Sequence, residues 1–258
     1  MIEDAHRLAS ALIFISPSIS RESMISPYKK GMTSSVWDIY DYYIDCDEKL
    51  RLILKIPDEK HVIEVGERLT QMNEILPEAD LALFQELGHL VVQIVVFDDK
   101  GSSDMGAESA SSFALWGSVL VNMRRSVHEL YFLEALLHES AHLLLFALCQ
   151  DDPVVTNSRD ERFVSPLRSD LRTMDGLFHA AYVTARMHYG LSKLKECKSI
   201  GVGLAGLIDE RCAVRQKQFQ DATDVIRRYG KLTGHGRDII NSALSCMGEP
   251  LIGELAAA

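Results

Sequence analysis

The residues best suited to do chemistry lie in one short stretch, where His138, Glu139 and His142 form the pattern His-Glu-x-x-His. Two histidines four positions apart lie one turn apart on the same helix face, so their ring nitrogens can bind one cation. Glu139 lies about 100° around the helix from His138. From there it can act on water at the metal or hold a ligand in place. The pattern predicts a metal site with His138 and His142 as ligands.

The residues around this motif strengthen that interpretation. In the run 130–148, the strongly polar side chains fall within an arc of about 140° on a helical wheel. They are Tyr131, Glu134, His138, Glu139 and His142. The remaining positions are mostly Leu, Ala and Phe, so we expect a buried helix whose polar groups need partners. The alternative to a metal site is a pair of hydrogen-bonded core histidines or a polar stripe that faces solvent.

A catalytic metal ion of this kind usually has a third protein ligand and an open position. The helix predicted at 170–189 offers candidates at helical spacing on one face. They are Arg172, Asp175, His179 and Tyr182. His179 is the preferred third ligand and Asp175 is the alternative. An arginine beside them is suited to hold an anion.

The rest of the chain is predicted to be mostly helical. Helix caps and breakers predict helices at 35–55, 58–75, 126–149, 170–189, 208–229 and 237–246. Segments 90–97 and 113–122 predict strands, since the first is rich in β-branched residues and ends at a turn signal. Without a repeat or a low-complexity linker, we expect one α+β domain over 1–258. It comprises a helical part at about 1–88, a metal-site core at about 89–190 and C-terminal helices at about 205–250.

Composition excludes some classes of function. The 258 residues include 27 Lys and Arg against 37 Asp and Glu, for a net charge of −10, which argues against a nucleic-acid partner. The N-terminus lacks the features of a signal peptide, and no apolar run approaches the ~20 residues that span a bilayer. Five cysteines without a C-x-x-C pair favour a reducing compartment. We expect a cytoplasmic protein without a membrane partner, and the sequence leaves its oligomeric state open.

The motif and the residues after it resemble a known family. His138-Glu139-x-x-His142 is followed by Ser165-Pro166-x-Arg168-x-Asp170-x-Arg172-x-x-x-Gly176-x-x-His179-x-x-Tyr182. This arrangement is similar to the HExxH-type 2-oxoglutarate-dependent peptide β-hydroxylases, which modify ribosomally synthesised precursor peptides. The likeness covers about 114–185 and extends more loosely to the C-terminus. Thr173 stands where the family commonly has proline.

The resemblance implies Fe(II) bound by His138, His142 and His179. It implies that Arg172 pairs with a carboxylate of 2-oxoglutarate, with Arg168 as a further anion contact, and that Glu139 orients groups or serves as acid or base. The expected activity is a dioxygenase reaction that hydroxylates a side-chain β-carbon of a precursor peptide. We therefore expect a mostly helical α+β fold, with a zincin-like metal helix packed beside a small antiparallel sheet.

Two other functions stay open. In a zinc metallopeptidase, Glu139 would be the general base and a neighbouring strand would pair with the substrate backbone. A peptidase has no obvious use for Arg172 beside the third ligand, whereas an enzyme that uses a keto acid does. Iron oxygenases commonly bind the metal through two histidines and a carboxylate, which keeps Asp175 and Glu139 open as ligands. The third possibility is a noncatalytic peptide-binding protein with a structural metal.

Overall fold

The computed structural model describes residues 25–27, 40, 54–99, 108–125, 128–150 and 152–253. The chain divides into two compact units, residues 2–143 and 144–258, here called the N-terminal unit and the C-terminal unit. The boundary falls inside the helix that carries the His-Glu-x-x-His motif. That the chain forms one domain over 1–258 stays a prediction.

The N-terminal unit contains a four-stranded mixed sheet with the strand order β1-β3-β6-β5. Its strands are β1 (Ile25–Pro27), β3 (Gln93–Val96), β5 (Ser109–Ser111) and β6 (Ser118–Val121). The first three strands in this order run parallel, and β5 pairs antiparallel with β6 at the edge. A separate antiparallel pair joins β2 (Leu54–Lys55) to β4 (Asp98–Asp99). The apolar residues of β3 and β6 are buried, as is typical of parallel strands.

The described part of this unit includes α1 (Glu59–Ala79), α2 (Leu81–Leu90) and the first part of α3 (Tyr131–Leu148). Helix α1 continues past residue 75, where the sequence predicted its end, and includes Pro77; the N–H of Asp80 closes its last turn on Leu76 O at 2.8 Å. Asp80 then caps α2 by accepting a hydrogen bond from the N–H of Leu83. The sequence predicted no element for α2.

Helix α3 begins at Tyr131, five residues later than predicted, and its apolar residues are buried as expected. Among the described residues, it is the one helix whose length and composition, taken by themselves, would allow it to cross a membrane. About three quarters of it, 72%, is buried within the protein, as in a core helix.

The described part of the C-terminal unit contains the end of α3 and the helices α4 (Met174–Lys195), α5 (Val202–Tyr229) and α6 (Gly234–Cys246). Helix α4 packs along α5 and also contacts α6, and fully buried side chains such as Phe178, Phe219 and Ile240 fill the core. Before α4 the chain forms a short antiparallel pair, β7 (Phe163–Val164) with β8 (Leu171–Arg172). The predicted C-terminal helices are confirmed.

The prediction of a mostly helical α+β fold with a small sheet is confirmed, but the sheet is mixed and not antiparallel as expected. The connection from β3 to β6 explains the difference. It passes through β4 and β5 and returns to the sheet so that β6 lies parallel to β3, while only β5 is antiparallel. The predicted helix at 35–55 lies mostly outside the described residues, and Leu54 and Lys55 form strand β2 instead of its last turn.

A close backbone contact at the start of α6 leads to a stability prediction. Thr233 caps this helix by accepting a hydrogen bond from the N–H of Gly236, and a Cβ on Gly236 would lie only 1.9 Å from Val154 O. We expect Gly236→Ala to lower the free energy of unfolding by about 1–3 kcal/mol or more, since the backbone has to move. Urea denaturation followed by circular dichroism measures this change.

Gly234 provides the matched control, because it belongs to the same helix turn and a Cβ there meets nothing within 4 Å. Gly234→Ala should stay within about 0.5 kcal/mol of the parent or stabilise it slightly. An equal loss of stability in the two variants would contradict the proposed backbone contact.

Candidate metal centre

The polar side chains of α3 have the partners that a buried helix requires. The hydroxyl of Tyr131 lies 2.6 Å from Glu108 O and 2.8 Å from Asn122 O, in the segments that flank β5 and β6. Buried Glu134 forms an ion pair with His128 at 3.2 Å between Oε2 and Nε2. The contacts of Tyr131 hold the start of α3 against the segments beside β5 and β6. The expectation that its polar groups meet partners is confirmed.

The two motif histidines come together as the spacing predicts. His138 Nε2 and His142 Nε2 are 3.3 Å apart, with ring centroids at 4.9 Å and ring planes at 66°, and both residues are half-buried. Two ring nitrogens that bind one metal ion at about 2.0–2.2 Å lie roughly 3.0–3.4 Å apart in octahedral or tetrahedral coordination. An N–H···N hydrogen bond would ordinarily be shorter. The spacing therefore fits two nitrogens that bind one metal ion.

Glu139 lies on α3 between these histidines in sequence and is held by strand β5. The hydroxyl of Ser109 donates to Oε1 and that of Ser111 donates to Oε2, each at 2.6 Å. Glu139 is only 3% exposed, and both of its carboxylate oxygens accept a hydrogen bond. Sequence reasoning missed these two serines. Their alternation around Ala110, which places both side chains on one face of a strand, is the signal that could have found them.

Arg172 does not lie on the helix where the sequence placed it. It belongs to β8, and α4 begins only after Thr173, whose Oγ1 accepts a hydrogen bond from the N–H of Gly176 at 3.2 Å. Because threonine at this position caps the helix, the chain before it can stay extended and pair with β7. The predicted spacing of Arg172 with Asp175 and His179 on one helix face is therefore wrong for Arg172.

The arginine is nevertheless oriented. Its Nε lies 2.9 Å from Asp170 Oδ2, and the Nε atom is buried although a quarter of the side chain is exposed. Its aliphatic part lies beside Gly176 in the first turn of α4, where a Cβ would meet Arg172 Cβ at 3.9 Å. Arg168 is exposed on the loop before β8. Arg172 is therefore held at the start of α4, and Arg168 lies at the surface nearby in sequence.

His179 lies on α4 with its side chain 17% exposed. Its ring packs against Phe146 of α3, with centroids 5.6 Å apart, within the C-terminal unit. Burial lowers the pKa of His179 below the usual value, although the nearby Asp175 carboxylate acts in the opposite direction. A histidine that stays neutral is suited to metal binding, which requires an unprotonated nitrogen.

Asp175, the alternative ligand, lies one turn before His179. Its Oδ2 is 3.9 Å from His179 Nε2, and its side chain is 63% exposed. This distance exceeds that of a hydrogen bond but still allows both atoms to bind one ion. Asp175 also acts on the thiol of Cys149: burial first and then this carboxylate raise the pKa of Cys149 to about 11, so the thiol stays protonated at neutral pH.

No protein-family model matches this chain, and no curated protein matches it. The function is therefore inferred from the motif, its spacing and the contacts described above.

Proposed function

We propose that this protein is an Fe(II)- and 2-oxoglutarate-dependent oxygenase that hydroxylates a side-chain β-carbon of a ribosomally synthesised precursor peptide. The observation that carries the proposal is the 3.3 Å separation of His138 Nε2 and His142 Nε2 on a buried helix. When bound, the iron with 2-oxoglutarate and O₂ supplies the oxidation: a C–H bond becomes C–OH while the keto acid becomes succinate and CO₂. The protein's part is to bind, orient and shield these groups.

The donor set fits Fe(II). Two imidazoles with a third histidine or a carboxylate leave coordination positions for a chelating keto acid and O₂. His179 is the proposed third ligand, and Asp175 is its alternative.

Arg172 is proposed to bind the co-substrate. 2-Oxoglutarate is a dicarboxylate, and a guanidinium binds a carboxylate through two parallel hydrogen bonds. Asp170 Oδ2 lies 2.9 Å from the Nε of Arg172, which makes no hydrogen bond among the described residues. The N–H groups at the start of α4 add positive potential beside it. Arg168, exposed in the preceding loop, is proposed as a further anion contact.

Strand β5 is proposed to receive the peptide. It lies at the edge of the four-stranded sheet, where an extended peptide can pair with backbone groups. Two aromatic side chains follow it, Phe113 at 58% exposure and Trp116 at 36%, packed edge to face with ring centroids 6.2 Å apart. Exposed aromatic side chains are well suited to anchor a peptide. The acidic protein would favour a peptide with basic residues.

The contacts of Glu139 weigh against the zinc metallopeptidase. A general base needs a carboxylate oxygen directed at the attacking water. Here Ser109 and Ser111 each donate to one of the two oxygens, which is the arrangement of a residue that joins α3 to β5. We therefore infer a positioning role for Glu139, in place of the acid–base role.

Glu139→Gln tests this role. Glutamine keeps the size and can still accept from one serine and donate to the other, so we expect succinate formation to stay within about tenfold of the parent. Loss of a general base would instead cost about 10²–10⁴ in rate. Succinate is measured after incubation with Fe(II), 2-oxoglutarate and O₂. A loss in the larger range, with metal still bound, would contradict the positioning role.

The activity itself is tested on protein purified without oxygen and loaded with Fe(II). Incubation with 2-oxoglutarate, O₂ and candidate precursor peptides should yield succinate and a peptide heavier by one oxygen atom in mass spectrometry. The parallel sample receives Zn²⁺ in place of iron and no keto acid. Peptide cleavage in that sample, without oxygen gain in the first, would favour the metallopeptidase instead.

A further inference from the structure

A second group of possible metal ligands lies in the N-terminal unit, distant in sequence from the histidine motif. Asp58, His61 and Asp98 each contribute one ligand atom, and these atoms all lie within 4.8 Å of one another. Asp58 and His61 belong to the start of α1, whereas Asp98 belongs to β4. The cluster therefore joins the beginning of a helix to a strand.

Two of these atoms are buried. His61 Nδ1 lies 3.3 Å from Asp98 Oδ1, and each side chain is only 10% exposed. Within the described part of the chain, neither atom makes a hydrogen bond. Buried polar atoms almost always have a hydrogen-bond partner. The separation matches the distance of about 3.3–3.4 Å between two ligands of a tetrahedral metal ion.

Asp58 supplies a second and independent observation. It occupies the N-cap position of α1, where an aspartate ordinarily accepts a hydrogen bond from an N–H of the first turn. Its side chain makes no such bond. Its Oδ2 lies 3.8 Å from Lys60 Nζ, but both side chains are largely exposed, so this pair is weak. The carboxylate is available as a third ligand for an ion held by His61 and Asp98.

We propose that Asp58, His61 and Asp98 bind a divalent transition-metal ion, with Zn²⁺ as the best fit. One imidazole and two carboxylates form a borderline donor set that Zn²⁺ accepts, and solvent can occupy the fourth position beside the exposed Asp58. The ion would tie the start of α1 to β4 and satisfy the two buried atoms. This site is separate from the histidine motif, and it does not depend on the function proposed for that motif.

Zinc binding in a variant that lacks the motif tests the proposal. In His138→Ala/His142→Ala protein, we expect a single zinc ion to bind and to raise the melting temperature. Adding Asp98→Asn or His61→Asn should abolish binding and the thermal shift. His89→Asn is the matched control, because it removes an exposed histidine at the end of α2 and should leave zinc binding unchanged. Equilibrium dialysis with elemental analysis gives the stoichiometry.

Asp58→Asn keeps the test decisive if the buried substitutions impair folding. Asp58 is exposed and caps nothing, so the variant should fold and bind zinc at least tenfold more weakly than its parent. Glu59→Gln, at the neighbouring exposed acid, should bind zinc like the parent. The parent here is the His138→Ala/His142→Ala protein. If it binds no zinc, or if Asp58→Asn in this parent binds zinc as tightly as Glu59→Gln, the proposal is wrong and the cluster is only an ion pair.

Discussion

Replacing either His138 or His142 by alanine is expected to remove iron from the proposed catalytic site and to abolish hydroxylation. Each substitution deletes one of two nitrogens that lie 3.3 Å apart, so the site loses a direct ligand. Changes in groups that only support a ligand already cost about 10–100-fold in metal affinity, and loss of the ligand itself should cost more. Metal analysis of protein reconstituted without oxygen measures the iron, and the succinate assay measures the activity.

His89→Ala is the matched control for this experiment, because His89 is exposed at the end of α2. It should keep its iron and its activity. Thermal unfolding of the metal-free proteins separates metal loss from misfolding, since half-buried histidines replaced by alanine should change stability only moderately. A folded His138→Ala variant that keeps iron and produces succinate would contradict the assignment of the motif.

Replacing Arg172 by alanine is expected to raise the KM for 2-oxoglutarate by about 10- to 100-fold, because a hydrogen bond between charged groups is worth about 1.5–3 kcal/mol. Arg172→Lys keeps the charge but loses the planar fork, so it should recover only part of the affinity. Iron content should stay unchanged in both variants. Steady-state kinetics with varied 2-oxoglutarate measures the effect.

Arg162→Ala is the control for the loss of a positive charge in the same region. Its side chain is exposed and donates to carbonyl groups of its own loop, so the KM should stay near that of the parent. Arg168→Ala should raise the KM for 2-oxoglutarate by more than Arg162→Ala does and by less than Arg172→Ala does, as expected of an exposed anion contact. If Arg172→Ala leaves the KM for 2-oxoglutarate unchanged, the co-substrate is not bound by this arginine.

The local part of the metal site could be predicted from the sequence, because a spacing of four residues on one helix fixes the distance between two side chains. The contacts of His138 with His142 follow from that spacing alone. The hydrogen bonds from Ser109 and Ser111 to Glu139 join residues 30 and 28 positions apart. No local periodicity records such a contact, because it depends on how β5 enters the sheet.

The misplacement of Arg172 has a different physical cause. The spacing of Arg172 to Asp175 and His179 is compatible with two arrangements. In one, all three residues lie on a single helix; in the other, Arg172 lies in an extended segment before a capped helix. The hydroxyl of Thr173 favours the second arrangement by accepting a hydrogen bond from the N–H of Gly176. A residue that can cap a helix, such as Thr173, can therefore mark the start of a helix within a sequence whose spacing looks helical throughout.

The fold was predictable in class and less so in topology. Apolar periodicity indicated most of the described helices, since each buries one face. The parallel direction of β6 relative to β3 is a long-range pairing that composition does not determine. In the same way, Asp98 meets Asp58 and His61 only because β4 passes the start of α1.

Anomalous X-ray diffraction at the iron absorption edge would locate iron at the histidine motif. The measurement uses crystals of the full chain grown without oxygen in the presence of Fe(II) and 2-oxoglutarate. We expect an iron peak about 2.0–2.2 Å from both His138 Nε2 and His142 Nε2, with His179 or Asp175 as a further ligand and Arg172 at a carboxylate of the keto acid. The absence of an iron peak beside these two histidines would contradict the proposed site, whatever other position the iron occupies.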